Sequence, residues 1–181
     1  MPKIIENIRE KLLEEAQKQV MKNGYSSMTI RSVAKACGVS VGTVYNYFSS
    51  KDMLVAGFML EDWTRCLQNI RTECESDAVS LEGILVCICT ELVDFTDKYT
   101  ALFRDKNACV SYAADIQVRH RFLRSQIAEP ILQVIKKKEV LFGNSNTSSD
   151  FLADFLAENV LTWTVEGRCV EEIVGILVPL L

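Results

Sequence analysis

Apolar residues recur at helical spacing along most of the 181-residue chain, and the recurrence predicts a succession of helices. Ile5, Ile8, Leu12, Ala16 and Val20 fall every three or four positions between charged neighbours, which places one buried stripe on a first helix. Asn23-Gly24 ends it. Ser26, Ser27 and Thr29 then supply hydroxyls able to cap a second helix with Ile30, Val33 and Ala34 on its apolar face. Cys37-Gly38 keeps that helix short, because Gly38 can take the left-handed conformation that closes a helix and redirects the chain. Ser40 is suited to cap a third helix running to about Tyr47. Two short helices joined by a tight turn containing glycine make a helix-turn-helix.

The pattern continues as helices. Ser49 and Asp52, three apart, read as a capping box that opens a long fourth helix to about Glu73, with Met53, Leu54, Phe58, Leu60, Trp63 and Leu67 as its apolar set. A further helix is predicted over residues 81–95 and a shorter one over 100–107. The next runs from about Tyr112 to Leu141, and Pro130, which lacks a backbone donor, should kink or divide it. Gly143 to Ser149 is the clearest loop. A capping hydroxyl between Thr147 and Asp150 opens a helix carrying Phe151, Leu152, Phe155, Leu156, Val160, Leu161 and Trp163, and a last helix starts near Gly167. No strand pattern with hairpin turns interrupts this order. The expected fold is all-α: a three-helix head over residues 1–48 and a helical-bundle body over 49–181.

Composition fits this picture and charge sharpens it. Hydrophobic residues make up 49% of the chain, with three Pro and eight Gly, a balance suited to long helices. The net charge of −4 hides an asymmetry: up to Asp52, eight Lys and Arg stand against five Asp and Glu, which makes the head +3 and the remainder −7. A basic head on an acidic body suits a protein that presents one end to a polyanion. The seven Cys are odd in number, and Cys87 and Cys89 lie too close for a CxxC clamp, so reduced core thiols in a cytoplasmic protein are expected. Acidic residues interrupt every apolar stretch short of bilayer length, so no membrane span is expected. A single His, with no Gly-rich phosphate loop, HExxH or GxSxG element, marks no enzyme, no metal site and no cofactor.

The informative segment is Thr29 to Lys51, TIRSVAKACGVSVGTVYNYFSSK. In its third helix Val44 and Phe48 are four apart and point inward with Val33, Ala34 and Val39. Val41, Gly42, Thr43, Tyr45, Asn46 and Tyr47 then face outward. No acid interrupts that face, as insertion into a DNA major groove demands. Gly42 is costly inside a helix, by about 1 kcal/mol relative to alanine, so its place on the outward face points to a close approach by something else.

The segment resembles the DNA-binding signature of the tetracycline-repressor (TetR) family, in which a helix beginning Thr-x-Arg leads through Ala and Gly-Val-Ser to Gly-Thr-x-Tyr-x-Tyr-Phe and a following Lys. The resemblance implies that Thr29, Tyr47 and Lys51 hold phosphates, assisted by the helix starts at Thr29 and Ser40. It implies that Arg31, Val41, Thr43, Tyr45 and Asn46 approach base edges and that Gly42 lets the backbone close on DNA. The expected partner is a pseudo-palindromic duplex, bound by a homodimer with half-sites about one DNA turn apart.

The same resemblance extends expectations to the body. Family members pair through their last two helices, which here makes Phe151, Phe155, Val160, Trp163, Val170, Ile173, Val174 and Leu177 the interface candidates. They usually hold a small-molecule effector among the helices behind the head, and Trp63, Cys66, Phe95, Tyr99, Phe103, Tyr112, His120 and Trp163 are the candidate lining. His120, between Arg119 and Arg121, reads by itself as a helix-surface residue, and Arg124 and Lys136 to Lys138 read as solvated faces. The function implied is sequence-specific transcriptional regulation, most often repression released by an effector. The alternative is a helical dimeric adaptor whose helix-turn-helix serves protein contacts.

Overall fold

A computed structural model describes residues 7–105, 108, 116–137 and 148–178. Within them the chain runs α1 (Ile8–Asn23), a single 3-10 turn (Tyr25–Ser27), α2 (Ile30–Cys37), α3 (Val41–Tyr47), α4 (Lys51–Glu75), α5 (Leu81–Arg104), α6 (Ile116–Lys137), α7 (Ser149–Val165) and α8 (Val170–Leu177). No strand occurs among the described residues. Ile5, Tyr112, the far end of the helix expected to reach Leu141, and the greater part of the loop after Gly143 lie outside the described residues.

The chain divides into two compact units, Met1–Trp63 with Tyr99–Ala114, and Thr64–Lys98 with Asp115–Leu181. The unit that holds the head therefore extends past residue 48, taking in the first half of α4 and the end of α5.

In the first unit α1 carries its stripe as the spacing predicts: Leu12, Leu13, Ala16 and Val20 are buried. They meet Ile30, Val33 and Ala34 of α2, then Val44, Phe48, Leu54, Val55 and Phe58. A fully buried Leu or Phe contributes about 1.5–3 kcal/mol by leaving water, so this small core fixes the angle between α2 and α3. Gly57 of α4 belongs to the same packing. A Cβ there would lie 2.7 Å from Leu13 Cδ2 and 3.1 Å from Phe48 Cε1, so only glycine lets α4 sit this close. On the surface Arg9 pairs with Glu61 at 2.6 Å.

A polar cluster sits inside the same unit. The Tyr99 hydroxyl donates to Asp62 Oδ2 at 2.5 Å, and the Gln17 amide lies 2.8 Å from both Asp62 Oδ2 and the Tyr99 oxygen. Asp62 and Tyr99 are buried, and the cluster joins α1, α4 and α5. Burial of a carboxylate requires such partners.

The second unit is built on the antiparallel pair α6 and α7. Ile127, Ile131, Val134 and Ile135 of α6 face Ala153, Leu156, Ala157 and Val160 of α7, all buried. His120 stands 3.8 Å from Glu158, and Arg124 stands 3.5 Å from Glu158 and 4.0 Å from Asp154. Ile84, Leu85, Ile88 and Cys89 of α5 and Ile173 and Leu177 of α8 complete the core.

Four expected boundaries differ. Residues 81–104 form one helix instead of two, because nothing between Phe95 and Thr100 breaks a helix and Tyr99 is fully buried against Phe58, ring centroids 6.1 Å apart. Pro130 lies inside α6 without dividing it; the buried isoleucines on both sides hold the two halves to one face. The cap of α4 is Ser50, whose Oγ accepts from the Met53 amide at 3.1 Å. Ser49 does not take that place, and Asp52 is held by Tyr25. Gly167, at φ +81°, closes α7 through its own amide to Thr164 and that of Arg168 to Trp163, so α8 begins three residues later at Val170.

Candidate nucleic-acid interface

The helix-turn-helix is assembled from caps. Thr29 Oγ1 accepts from the Ser32 amide at 3.0 Å while Ser32 Oγ accepts from the Thr29 amide at 3.1 Å, a reciprocal capping box at the start of α2. Ser32 also bonds Gln19 of α1 at 2.6 Å. Gly38, at φ +69° and ψ 30°, ends α2 with its amide on Ala34 and Lys35. The Val39 amide reaches Ala34 O at 3.0 Å, completing the turn. Ser40 caps α3, accepting from the Thr43 amide at 3.0 Å and bonding the Thr43 hydroxyl at 2.9 Å. Each such cap contributes about 1 kcal/mol, which matters for helices of eight and seven residues.

Four of the six positions expected on the outward face of α3 are exposed. Val44 and Phe48 are buried, Val39 is half-buried, and Gly42, Tyr45, Asn46 and Tyr47 are exposed, the two tyrosines at 52% and 48%. Val41 and Thr43 are half-buried. The helix carries no acid and no base of its own. A Cβ placed on Gly42 would meet only Ser40 Oγ, at an ordinary 3.7 Å. Nothing among the described residues requires glycine there.

Thr29, Arg31, Val41, Tyr45 and Lys51 line one concave surface together with Met28 and Ile30; Arg31 is exposed beside it. Lys51 is not a solvated cap residue. Its Nζ donates to the Tyr25 carbonyl at 2.5 Å and stands 3.9 Å from the centroid of the Tyr25 ring. Burial lowers its pKa below the usual lysine value, against the opposing pull of Asp52 and Asp105. Tyr25, Ser32 and Gly57 were not expected from the sequence, and Asp52 was expected in a capping box instead of on Tyr25. Ser32, three residues after Thr29, carried a capping-box signal; the Tyr25–Asp52 contact, which spans two helices, carried none.

Residues 12–57 match the model of the bacterial regulatory proteins of the tetR family. The match covers the helix-turn-helix and the start of α4. The chain is 33% identical over 67 residues to the HTH-type transcriptional regulator UidR of Escherichia coli (strain K12), covering 37% of this chain and 34% of that protein. The chain thus spans about a third of the length of the first curated relatives it matches. It is 21% identical over 118 residues to the fatty acid metabolism regulator protein of Bacillus subtilis (strain 168), covering 65% and 57% of the two chains. Among solved structures, Thermus thermophilus FadR, a TetR-family transcriptional repressor in complex with lauroyl-CoA, superposes with a TM-score of 0.61 at 19% identity. That likeness covers 95% of this chain and 92% of the other, and extends the tetR-type fold beyond the head.

The remaining candidates divide between the two units. Trp63, Tyr99 and Phe103 belong to the unit of the head; Cys66, Phe95, His120 and Trp163 belong to the other. Trp63 and Tyr99 are buried in the interior, Tyr99 in the Asp62 cluster, whereas Phe103 is 46% exposed with its ring 6.3 Å from that of Tyr99. His120 is a surface partner of Glu158, and Trp163 carries the Arg168 guanidinium 5.4 Å from its ring. Of the expected dimer surface, Val160, Ile173, Val174 and Leu177 are corrected. They are buried in the chain's own core, where α7 packs on α6 and α8 on α7. Phe151 and Phe155 are exposed and Val170 and Trp163 half-buried.

The thiols lie mainly inside. Burial pushes Cys89 up to about 12 and Cys87 up to about 11, and Cys37 and Cys74 also upward, while Cys169 is exposed. Among the described residues no group of His, Cys, Asp and Glu is placed to hold a metal ion, and no helix is long and apolar enough to cross a membrane.

Proposed function

We propose that the chain is a sequence-specific DNA-binding transcriptional regulator that acts as a homodimer, a repressor released by a small-molecule effector. Residues 1–48 are its DNA-binding part and 49–181 its effector-binding and dimerising part, without catalysis of its own and working in the cytoplasm. The observation that carries this reading is the exposed, acid-free face of α3 with Gly42 at its start. The glycine costs helix stability, and among the described residues a Cβ there would meet only Ser40 Oγ, at an ordinary contact distance.

Arg31, Val41, Thr43, Tyr45 and Asn46 are assigned to base edges: Arg pairs with guanine, Asn with adenine, and Val or Thr methyls meet thymine. Thr29, Tyr47 and Lys51 are assigned to phosphates, with the amides at the Thr29 and Ser40 caps. Phe151, Phe155, Trp163 and Val170 are the residues assigned to the partner subunit. A relative named as a fatty acid metabolism regulator and a structural neighbour in complex with lauroyl-CoA make a fatty-acyl ligand the first effector class to test, by its effect on affinity for DNA.

In vitro selection from a randomised duplex pool, followed by salt titration of the recovered duplex, tests the reading. The expected results are a two-fold symmetric site and a steep fall of affinity with salt. Tyr45→Ala and Asn46→Ala are expected to abolish discrimination between that site and mixed-sequence DNA while leaving the dimer intact. Unchanged selectivity in both overturns the assignment of the reading face, and a protein that binds no duplex is the adaptor instead.

A further inference from the structure

Tyr25 sits in the 3-10 turn between α1 and α2 and is buried. It holds the first two residues of α4, Lys51 and Asp52. Its hydroxyl donates to Asp52 Oδ1, while its carbonyl accepts from Lys51 Nζ and its ring lies under the same ammonium. Lys51 in turn lines the concave surface shared with Thr29, Arg31, Val41 and Tyr45. We propose that Tyr25 is a positioning residue for DNA contact, presenting the Lys51 ammonium to a phosphate while holding the adjoining Asp52 carboxylate away from it.

The inference rests on the DNA-binding reading, and its logic is electrostatic and entropic. A carboxylate next in sequence to a phosphate-binding lysine can pair with that lysine and repels the phosphate. Engaging Asp52 Oδ1 with the Tyr25 hydroxyl weakens both effects. A lysine free in solution also loses rotamer freedom when it engages a phosphate. Lys51 has surrendered that freedom already, because one of its three donors and its cationic face are held by Tyr25.

The test uses the full-length protein and the duplex recovered by in vitro selection. Tyr25→Phe keeps the ring and the carbonyl and loses only the hydroxyl. It is expected to weaken binding about fivefold and to flatten the log–log dependence on salt by about 0.9, the value of one phosphate contact. Lys51→Met is expected to flatten the slope equally, and adding Tyr25→Phe to it is expected to change nothing further. Wild-type affinity and slope in Tyr25→Phe overturn the proposal, as does a full Tyr25→Phe effect on top of Lys51→Met.

Where Tyr25→Phe leaves too little folded protein, Tyr25→Phe with Asp52→Asn removes the released carboxylate. That variant is expected to bind within about twofold of wild type, since the two changes act on one interaction; weak binding by the folded double variant overturns the proposal. Failure of the wild-type protein to bind any duplex sinks the DNA-binding reading itself, whereas a binding wild type with an indifferent Tyr25→Phe sinks only the role of Tyr25.

Discussion

Tyr99, near the end of α5, donates its hydroxyl to the buried Asp62 carboxylate of α4 at 2.5 Å, and Gln17 of α1 lies 2.8 Å from both. Three helices far apart in sequence are therefore tied by one cluster in the unit that carries the head. Tyr99→Phe keeps the stacking volume against Phe58 and removes one donor from a carboxylate that has little water to replace it. The expected outcome is a loss of about 1–3 kcal/mol, read as a lower urea midpoint at unchanged m value. An unshifted midpoint shows that the cluster does not stabilise the unit.

Gly42 of α3 and Gly57 of α4 should respond in opposite directions to the same change. At Gly42 a methyl meets only Ser40 Oγ at 3.7 Å. Gly42→Ala is therefore expected to stabilise the fold by up to about 1 kcal/mol while weakening DNA binding. At Gly57 the methyl would lie 2.7 Å from Leu13 Cδ2 and 3.1 Å from Phe48. Overpacking there costs about 1–3 kcal/mol, which outweighs the propensity gain, so Gly57→Ala is expected to melt at a lower temperature. Thermal denaturation of both variants, with a DNA titration of the first, checks the pair; a stabilised Gly42→Ala that binds DNA normally removes the argument from close approach.

The thiols make a prediction about alkaline pH. Burial raises Cys87 to about 11 and Cys89 to about 12 from the usual 9.0. A raised folded-state pKa means that the neutral thiol is favoured in the fold. Its contribution is complete below about pH 9 and is lost as pH climbs through 11 and 12. Stability is expected to fall over that alkaline window, less steeply in Cys89→Ala than in wild type. Exposed Cys169 is expected to react with a thiol reagent at pH 8 at least about tenfold faster than Cys89, measured by mass spectrometry of labelled peptides. Equal labelling rates contradict the buried assignment.

How much of this was legible in the sequence depended on range. Local chemistry was readable: Thr29, Gly38 and Ser40 announce caps and a turn through residues three or four apart, and the structure places each in that role. The α3 face was readable for the same reason, because Val44 and Phe48, four positions apart, both turn inward. Contacts between helices were not. The Tyr25 hold on Lys51 and Asp52 joins residues 26 and 27 apart, and the Gln17–Asp62–Tyr99 cluster spans 82 positions. Tertiary packing also overrode two local signals: Pro130 removes one rung of α6, yet buried isoleucines keep the helix whole, and Tyr99 in the core carries α5 past its expected end. Apolar character alone could not separate a chain's own core from a partner surface, which is why Val160 and Leu177 stood beside Phe151 among the interface candidates.

That last distinction yields the prediction about assembly. Phe151 is 65% and Phe155 41% exposed on α7, four residues apart and so on one face, while Val160 of the same helix is fully buried. A charge placed on the exposed face stays solvated in the monomer and is desolvated only if a partner covers it. A charge at residue 160 is desolvated by folding itself. Phe151→Glu with Phe155→Glu is accordingly expected to yield a folded monomer with little change in helical circular dichroism. Its apparent DNA affinity should fall by more than about tenfold, because one half-site at a time is read. Val160→Glu is expected to lower the melting temperature sharply. Sedimentation equilibrium separates the cases: a double variant that remains dimeric places the partner surface away from the exposed face of α7, and a folded, stable Val160→Glu contradicts its burial in the core.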